Sequence, residues 1–121
     1  MSKSDISRIY LIIEKIEYIE EIVKKEGNIT NALADFITTR PAILMHLTAI
    51  AEQFNKMKKN NNQEVLSFFD LEDLKGLYDT RTYIAHDYDG VNLAIIDWIV
   101  RKGLPKLKKQ CKDVLKKFNR L

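Results

Sequence analysis

A chain of 121 residues, 45% apolar and 31% charged, has room for one domain spanning 1–121, with a core that needs neither disulfide nor metal. One cysteine (Cys111) excludes a disulfide framework within the chain, a zinc ribbon and Cys-x-x-Cys redox chemistry, and only four glycines and two prolines favour helices over a turn-rich sheet fold. The net charge of +3 is unevenly spread: residues 1–100 hold 11 Lys/Arg against 16 Asp/Glu (−5), and residues 101–121 hold 9 against 1 (+8).

The first segment, 4–26, has Ile6, Ile9, Ile13, Ile16 and Val23 at three-four spacing, with Ile12 and Ile19 widening the stripe. That pattern predicts a long amphipathic helix, with Ser2 and Asp5 as a capping box and Gly27–Asn28 as its stop. Its charges recur too often for a signal peptide or a membrane span, so a cytoplasmic protein without membrane association is expected. A second helix is predicted over about 30–38, with Thr39–Arg40–Pro41 as a break and Pro41 in the first turn of a third helix. The third helix runs through Ile43, Leu44, Leu47, Ile50, Ala51 and Phe54 and ends in the polar loop Asn60–Asn61–Asn62.

Asp70 with Asp73 is expected to cap a fourth helix carrying Leu71, Leu74, Leu77 and Tyr78, which fades near His86. Asp89–Gly90 is a turn signal, and Asn92 can cap a fifth helix. The Gly103–Leu104–Pro105 step is expected to break or kink that helix. Beyond it Leu104, Leu107, Cys111, Val114 and Phe118 form an apolar stripe with lysines opposite. The fold class is therefore all-α, an antiparallel bundle of four to five helices. Cys111 is expected in the core; Ile95 and Trp98 either line a dimer or partner surface or, as the simpler account, pack in the core. The basic stretch 101–121 is either a solvated helix face or a surface for RNA or a protein partner.

The densest set of reactive side chains is Leu77-Tyr78-Asp79-Thr80-Arg81-Thr82-Tyr83-Ile84-Ala85-His86-Asp87-Tyr88-Asp89. Arg81 carries a permanent charge on a fork that grips phosphate oxygens, and His86 exchanges protons near neutrality. Metal-free RNA cleavage needs both: a proton must leave the ribose 2′-hydroxyl, another must reach the departing 5′-oxygen, and the phosphorane between carries extra negative charge. Five residues turn an α-helix by about 500°, so the pair does not share a face. Either the helix ends before His86 and lets it fold back, or two chains pair so that two Arg–His sets share one cleft. The competing account is an ordinary helix end, with Arg81 paired to an acid and His86 as a capping side chain. Asp79, Asp87 and Asp89 either oppose a phosphate surface or orient the His86 ring. His46 stands without a second His or Cys at ligand spacing, so no metal is expected, and the lack of a glycine-rich loop argues against a P-loop nucleotide site.

Arg81–x4–His86–x–Tyr88 resembles the Arg–x4–His–x–Tyr motif of the HepT-like family, RNA-cutting toxins of the HEPN superfamily. Asp35-Phe36, Arg40-Pro41-Ala42-Ile43 and Ile50-Ala51-Glu52 are similar to the family's central helices. Val91 to Trp98 and Leu104-Pro105-x-Leu107 are similar to its closing ones. The resemblance covers most of the chain. It implies an HEPN-like bundle, a metal-independent endoribonuclease with Arg81 and His86 as catalytic residues, no cofactor, and a homodimer with the motif near the subunit interface. It also implies a toxin–antitoxin pair in which an MNT-type nucleotidyltransferase adenylylates Tyr88. Thr82 and Asp87 flank the motif; Thr82 stands where the family usually has Asn, whose amide both gives and accepts hydrogen bonds. That difference keeps a second reading open, a non-catalytic helical module that docks and regulates the nucleotidyltransferase.

Overall fold

The computed structural model describes residues 3–120 and holds no strand among them. The elements in order are α1 (Lys3–Glu26), α2 (Ile29–Ala34), α3 (Thr39–Lys59), α4 (Gln63–Leu66), α5 (Leu71–His86), a 3-10 turn (Tyr88–Gly90), α6 (Leu93–Trp98), a π-helical turn (Ile99–Gly103) and α7 (Leu104–Lys117). α3 is the central helix. It packs against both α1 and α5, and α7 packs against α1. The apolar stripes meet there: Ile9, Ile12, Ile16 and Ile19 of α1 are fully buried with Ile43, Ile50 and Met57 of α3 and Leu104, Val114 and Leu115 of α7. Removing each such side chain from water stabilises the fold by roughly 1.5–3 kcal/mol before chain entropy is subtracted.

Boundaries follow local chemistry. Gly27, at φ +95°, ends α1 in a conformation that disfavours other residues. Asn28 then caps α2 by accepting from the Asn31 N–H at 2.8 Å. The proposed Ser2 cap lies outside the described residues. α2 stops at Ala34, earlier than the expected 38, because the Asp35 carboxylate accepts from the Ile37 and Thr38 N–H groups at 3.1 and 3.0 Å and folds 35–38 into a turn. The break thus precedes Thr39–Arg40–Pro41, which form the first turn of α3. There the Arg40 Nε donates to the Leu33 carbonyl at 2.7 Å and Thr39 donates to that of Ala32, satisfying the end of α2.

Three further departures from the sequence reading have clear causes. Residues 63–69 bury Val65, Leu66 and Phe69, and Phe69 meets Phe54 edge-on at 4.9 Å, so the polar loop ends in a short helical tuck. Asp70 occupies the cap position of α5 but makes no cap hydrogen bond; its carboxylate and that of Asp73 take the Lys106 ammonium instead. The chain does not break at Gly103–Leu104–Pro105. The Leu104 N–H reaches five residues back to the Ile99 carbonyl, and this wider turn accommodates Pro105 while Ile96, Ile99, Leu104 and Leu107 stay on the buried side.

Candidate active site

α5 is a shallowly anchored helix. Only Leu77 is fully buried along it, with Leu74 and Ile84 partly covered. Arg81 follows Leu77 by one turn, so it points to the margin of the α3 interface. There its Nε lies 2.5 Å from Oε1 of Glu52, the lone acidic residue of α3. Both side chains are about one-third exposed (32% each), while the two facing atoms are sealed from solvent. The two atoms are at ion-pair distance without the alignment of a hydrogen bond. The guanidinium also sits 5.6 Å from the centre of the Tyr78 ring.

His86 is the last residue of α5, so the helix includes it and the fold-back route is not taken. Within one chain Arg81 and His86 remain about 140° apart around the axis. The structure brings Arg81 to Glu52, not to His86. Tyr78, Thr82 and His86 instead line one ridge at steps of four. The Thr82 hydroxyl is occupied on that ridge, donating to the Tyr78 carbonyl at 3.1 Å. His86 is exposed, and among the described residues its ring makes no hydrogen bond or ion pair. The Asp87 carboxylate accepts from the Gly90 N–H at 3.2 Å and closes the 3-10 turn, which presents Tyr88 at 41% exposure. Asp79 pairs back to Lys75 at 2.8 Å. Of the three nearby acids, two are therefore used within their own elements. Glu52, the acid that does engage Arg81, comes from α3. Its signals in the sequence are that it is the only carboxylate in that helix and that it falls in the Ile50-Ala51-Glu52 stretch that resembles the family's central helices.

On the side of α5 turned away from this ridge an apolar cleft of about 430 Å³ separates the helix from the closing helices, lined by Gly76, Leu77, Thr80, Ile95, Trp98 and Lys102 among others. Ile95 and Trp98 do not pack in the core, the simpler of the two accounts, but are 51% and 56% exposed there, because α6 turns Ile96 and Ile99 inward instead. Cys111 is in the core as expected, and burial pushes its thiol up to about 12.

Four of the nine cations of the basic segment are paired within the fold. Lys106 holds Asp70 and Asp73, Lys108 holds Glu17 and Glu20, Arg101 holds Asp97, and Lys109 holds Asp113. No group of three metal-ligating side chains occurs among the described residues. No helix among them is long and apolar enough to cross a membrane.

Residues 12–114 match the family model described as ribonuclease HepT-like. No curated protein and no solved structure matches the chain.

Proposed function

The chain belongs to the HepT-like ribonuclease family, and on that premise we propose that it is the toxin half of a toxin–antitoxin pair, a metal-independent endoribonuclease acting through Arg81 and His86. The observation that carries this reading is the state of the motif. His86 at the end of α5 and Tyr88 in the turn after it stand exposed and, among the described residues, make no side-chain hydrogen bond or ion pair, while Arg81 is held in the preceding turn.

The chemistry uses two side-chain types. A neutral His86 takes the proton of the ribose 2′-hydroxyl, the O2′–P bond forms, and the P–O5′ bond breaks. The 5′-oxygen leaves with a proton from a histidinium, giving a 2′,3′-cyclic phosphate and a 5′-hydroxyl. Arg81 stabilises the phosphorane charge. Because the pair diverges by about 140° on one helix, a homodimer that apposes two α5 ends brings two Arg–His sets to one cleft, where the arginine and histidine that meet one phosphate need not come from the same chain. Control falls to Tyr88. An MNT-type nucleotidyltransferase joins its phenolic oxygen to the α-phosphorus of ATP with loss of pyrophosphate, and the added negative charge occupies the RNA phosphate's place.

The second reading, a non-catalytic module that docks and regulates the nucleotidyltransferase, is favoured by one feature. Thr82 replaces the family's usual Asn, and its hydroxyl is turned back into the helix.

Expressing wild type, Arg81→Ala and His86→Ala without a partner, and following growth and RNA integrity in EDTA, separates the two. The ribonuclease reading expects wild type alone to slow growth and cut RNA, with either substitution lowering the rate by about 10²-fold or more. Three proteins that behave alike reject it. Intact mass after incubation with the partner and ATP is expected to rise by adenylyl units in wild type and not in Tyr88→Phe.

A further inference from the structure

We propose that Glu52 is the positioning residue of Arg81: it anchors the Nε edge of the guanidinium and leaves both terminal nitrogens to the RNA phosphate. The inference rests on the ribonuclease reading above.

Three observations lead to it. First, the pair is selective. Glu52 is the only acid in α3, and Arg81 is the only Lys or Arg between 76 and 100. Four aspartates occur in that same stretch, yet Arg81 reaches across to a different helix. Second, the geometry splits the guanidinium into a dry side and a wet side. Nε and Oε1 are sealed while each side chain stays about one-third exposed (32%). Arginine has five N–H donors in a rigid fork, and the Glu52 charge stands at the Nε edge as an ion-pair partner, which leaves the four donors on the terminal nitrogens for two phosphate oxygens. Third, the anchor is firm. Glu52 sits between buried Ala51 and buried Gln53, in the helix that packs on both α1 and α5. The Gln53 Oε1 accepts from the Arg8 Nη1 at 3.0 Å, which provides Arg8 with its own acceptor and removes it as a rival for Glu52. Tyr78, beneath the guanidinium face, restricts the plane in which the fork opens.

A carboxylate beside a phosphate-binding arginine weakens its long-range pull on RNA. It also removes rotamers that would otherwise be frozen at the moment of reaction. Preorganised charge acts on the transition state more than on the bound substrate, so the expected effect lies in kcat rather than KM.

The test compares wild type, Glu52→Gln, Glu52→Ala, Arg81→Lys and Glu52→Ala/Arg81→Lys on a single-stranded oligoribonucleotide, with thermal melts to confirm folding. Glu52→Ala is expected to lower kcat by about 10–10²-fold, the scale of a slightly misplaced catalytic group, with KM little changed. Glu52→Gln, which keeps the shape of the side chain but removes its charge, is expected to recover only the part of that loss that comes from packing. In the Arg81→Lys background, which has no Nε edge to hold, Glu52→Ala should remove much less. A readout independent of activity is the Arg81 Nε–H signal in ¹⁵N-resolved NMR, identified by its absence in Arg81→Lys. It should be protected from exchange in wild type and lost in Glu52→Ala.

Wild type that cuts RNA alongside an equally active Glu52→Ala overturns the positioning role alone. So does a faster Glu52→Ala, which would make Glu52 a competitor of the phosphate, or an equal loss in both backgrounds. Wild type that leaves RNA intact overturns the ribonuclease reading itself and the positioning role with it.

Discussion

The two histidines of the chain sit in opposite surroundings, and only one is exposed. His46 is partly covered on α3, its ring 5.4 Å from that of Tyr18. Desolvation, and then the nearby Lys15 ammonium, holds its pKa below the ordinary 6.5. The linkage has a definite sign. Below 6.5 the unfolded chain binds a proton that the folded chain resists, so this contribution is present above 6.5 and is lost as the pH falls through the lower folded value. Melting wild type and His46→Gln between about pH 7 and about pH 5 is therefore expected to show a steeper fall for wild type; parallel curves would remove His46 as the cause. The motif residues Arg81, His86 and Tyr88 were legible because their chemistry is local and dense. Glu52 was not legible as the partner of Arg81, because that pairing exists only once α3 and α5 lie side by side.

Periodicity located the long helices, since α1, α3 and α7 each bury a regular stripe. It was blind where a tertiary partner decides the local structure. Nothing in Gln63–Leu66 repeats, and the tuck exists because Phe69 finds Phe54. A glycine–proline step reads as a break, yet the apolar positions on both sides need one continuous face, and a π turn provides it. The same contrast between local preference and surroundings separates two glycines of the motif region. Gly76 lies mid-helix in α5, with nothing within 4 Å of the place a Cβ would take. Gly76→Ala is expected to stabilise the protein by about 0.5–1 kcal/mol in chemical denaturation, the helix-propensity difference. At Gly90 a Cβ would stand 2.1 Å from the Asp87 Oδ2 and close to the rest of that carboxylate. Gly90→Ala must expel the cap of the turn and is expected to cost about 1 kcal/mol, the usual price of a lost cap. It should also slow any labelling of Tyr88, which that turn presents. Equal stability of Gly90→Ala and wild type would mean that the Asp87 cap does not hold the turn.

At the level of the whole molecule, the −5 of residues 1–100 and the +8 of residues 101–121 are two halves of one surface. The closing helix lies on α1, where Lys108 meets Glu17 and Glu20, and it reaches the start of α5 through Lys106. Between α5 and the closing helices there is otherwise an open apolar cleft. Lys106 thus joins the helix that carries the motif to the terminal segment, and it does so from a solvent-exposed position, where a single pair adds little to global stability. Its ammonium is held well above the ordinary lysine range by Asp70 and Asp73, and Lys106 in turn holds Asp70 below the ordinary carboxylate range. The lowered Asp70 value means that the bridge is intact at neutral pH and is lost only as acid protonates the carboxylate. Lys106→Ala is therefore expected to leave the melting temperature nearly unchanged while loosening one end of α5. Hydrogen exchange should read this as faster exchange of the Leu74, Lys75 and Gly76 amides, with the α1 and α3 amides unaltered. Protection that stays uniform would mean that packing on α3 alone fixes α5. A local loss would show that the basic segment acts first as a strut for the motif helix, with only its remaining lysines free to meet RNA.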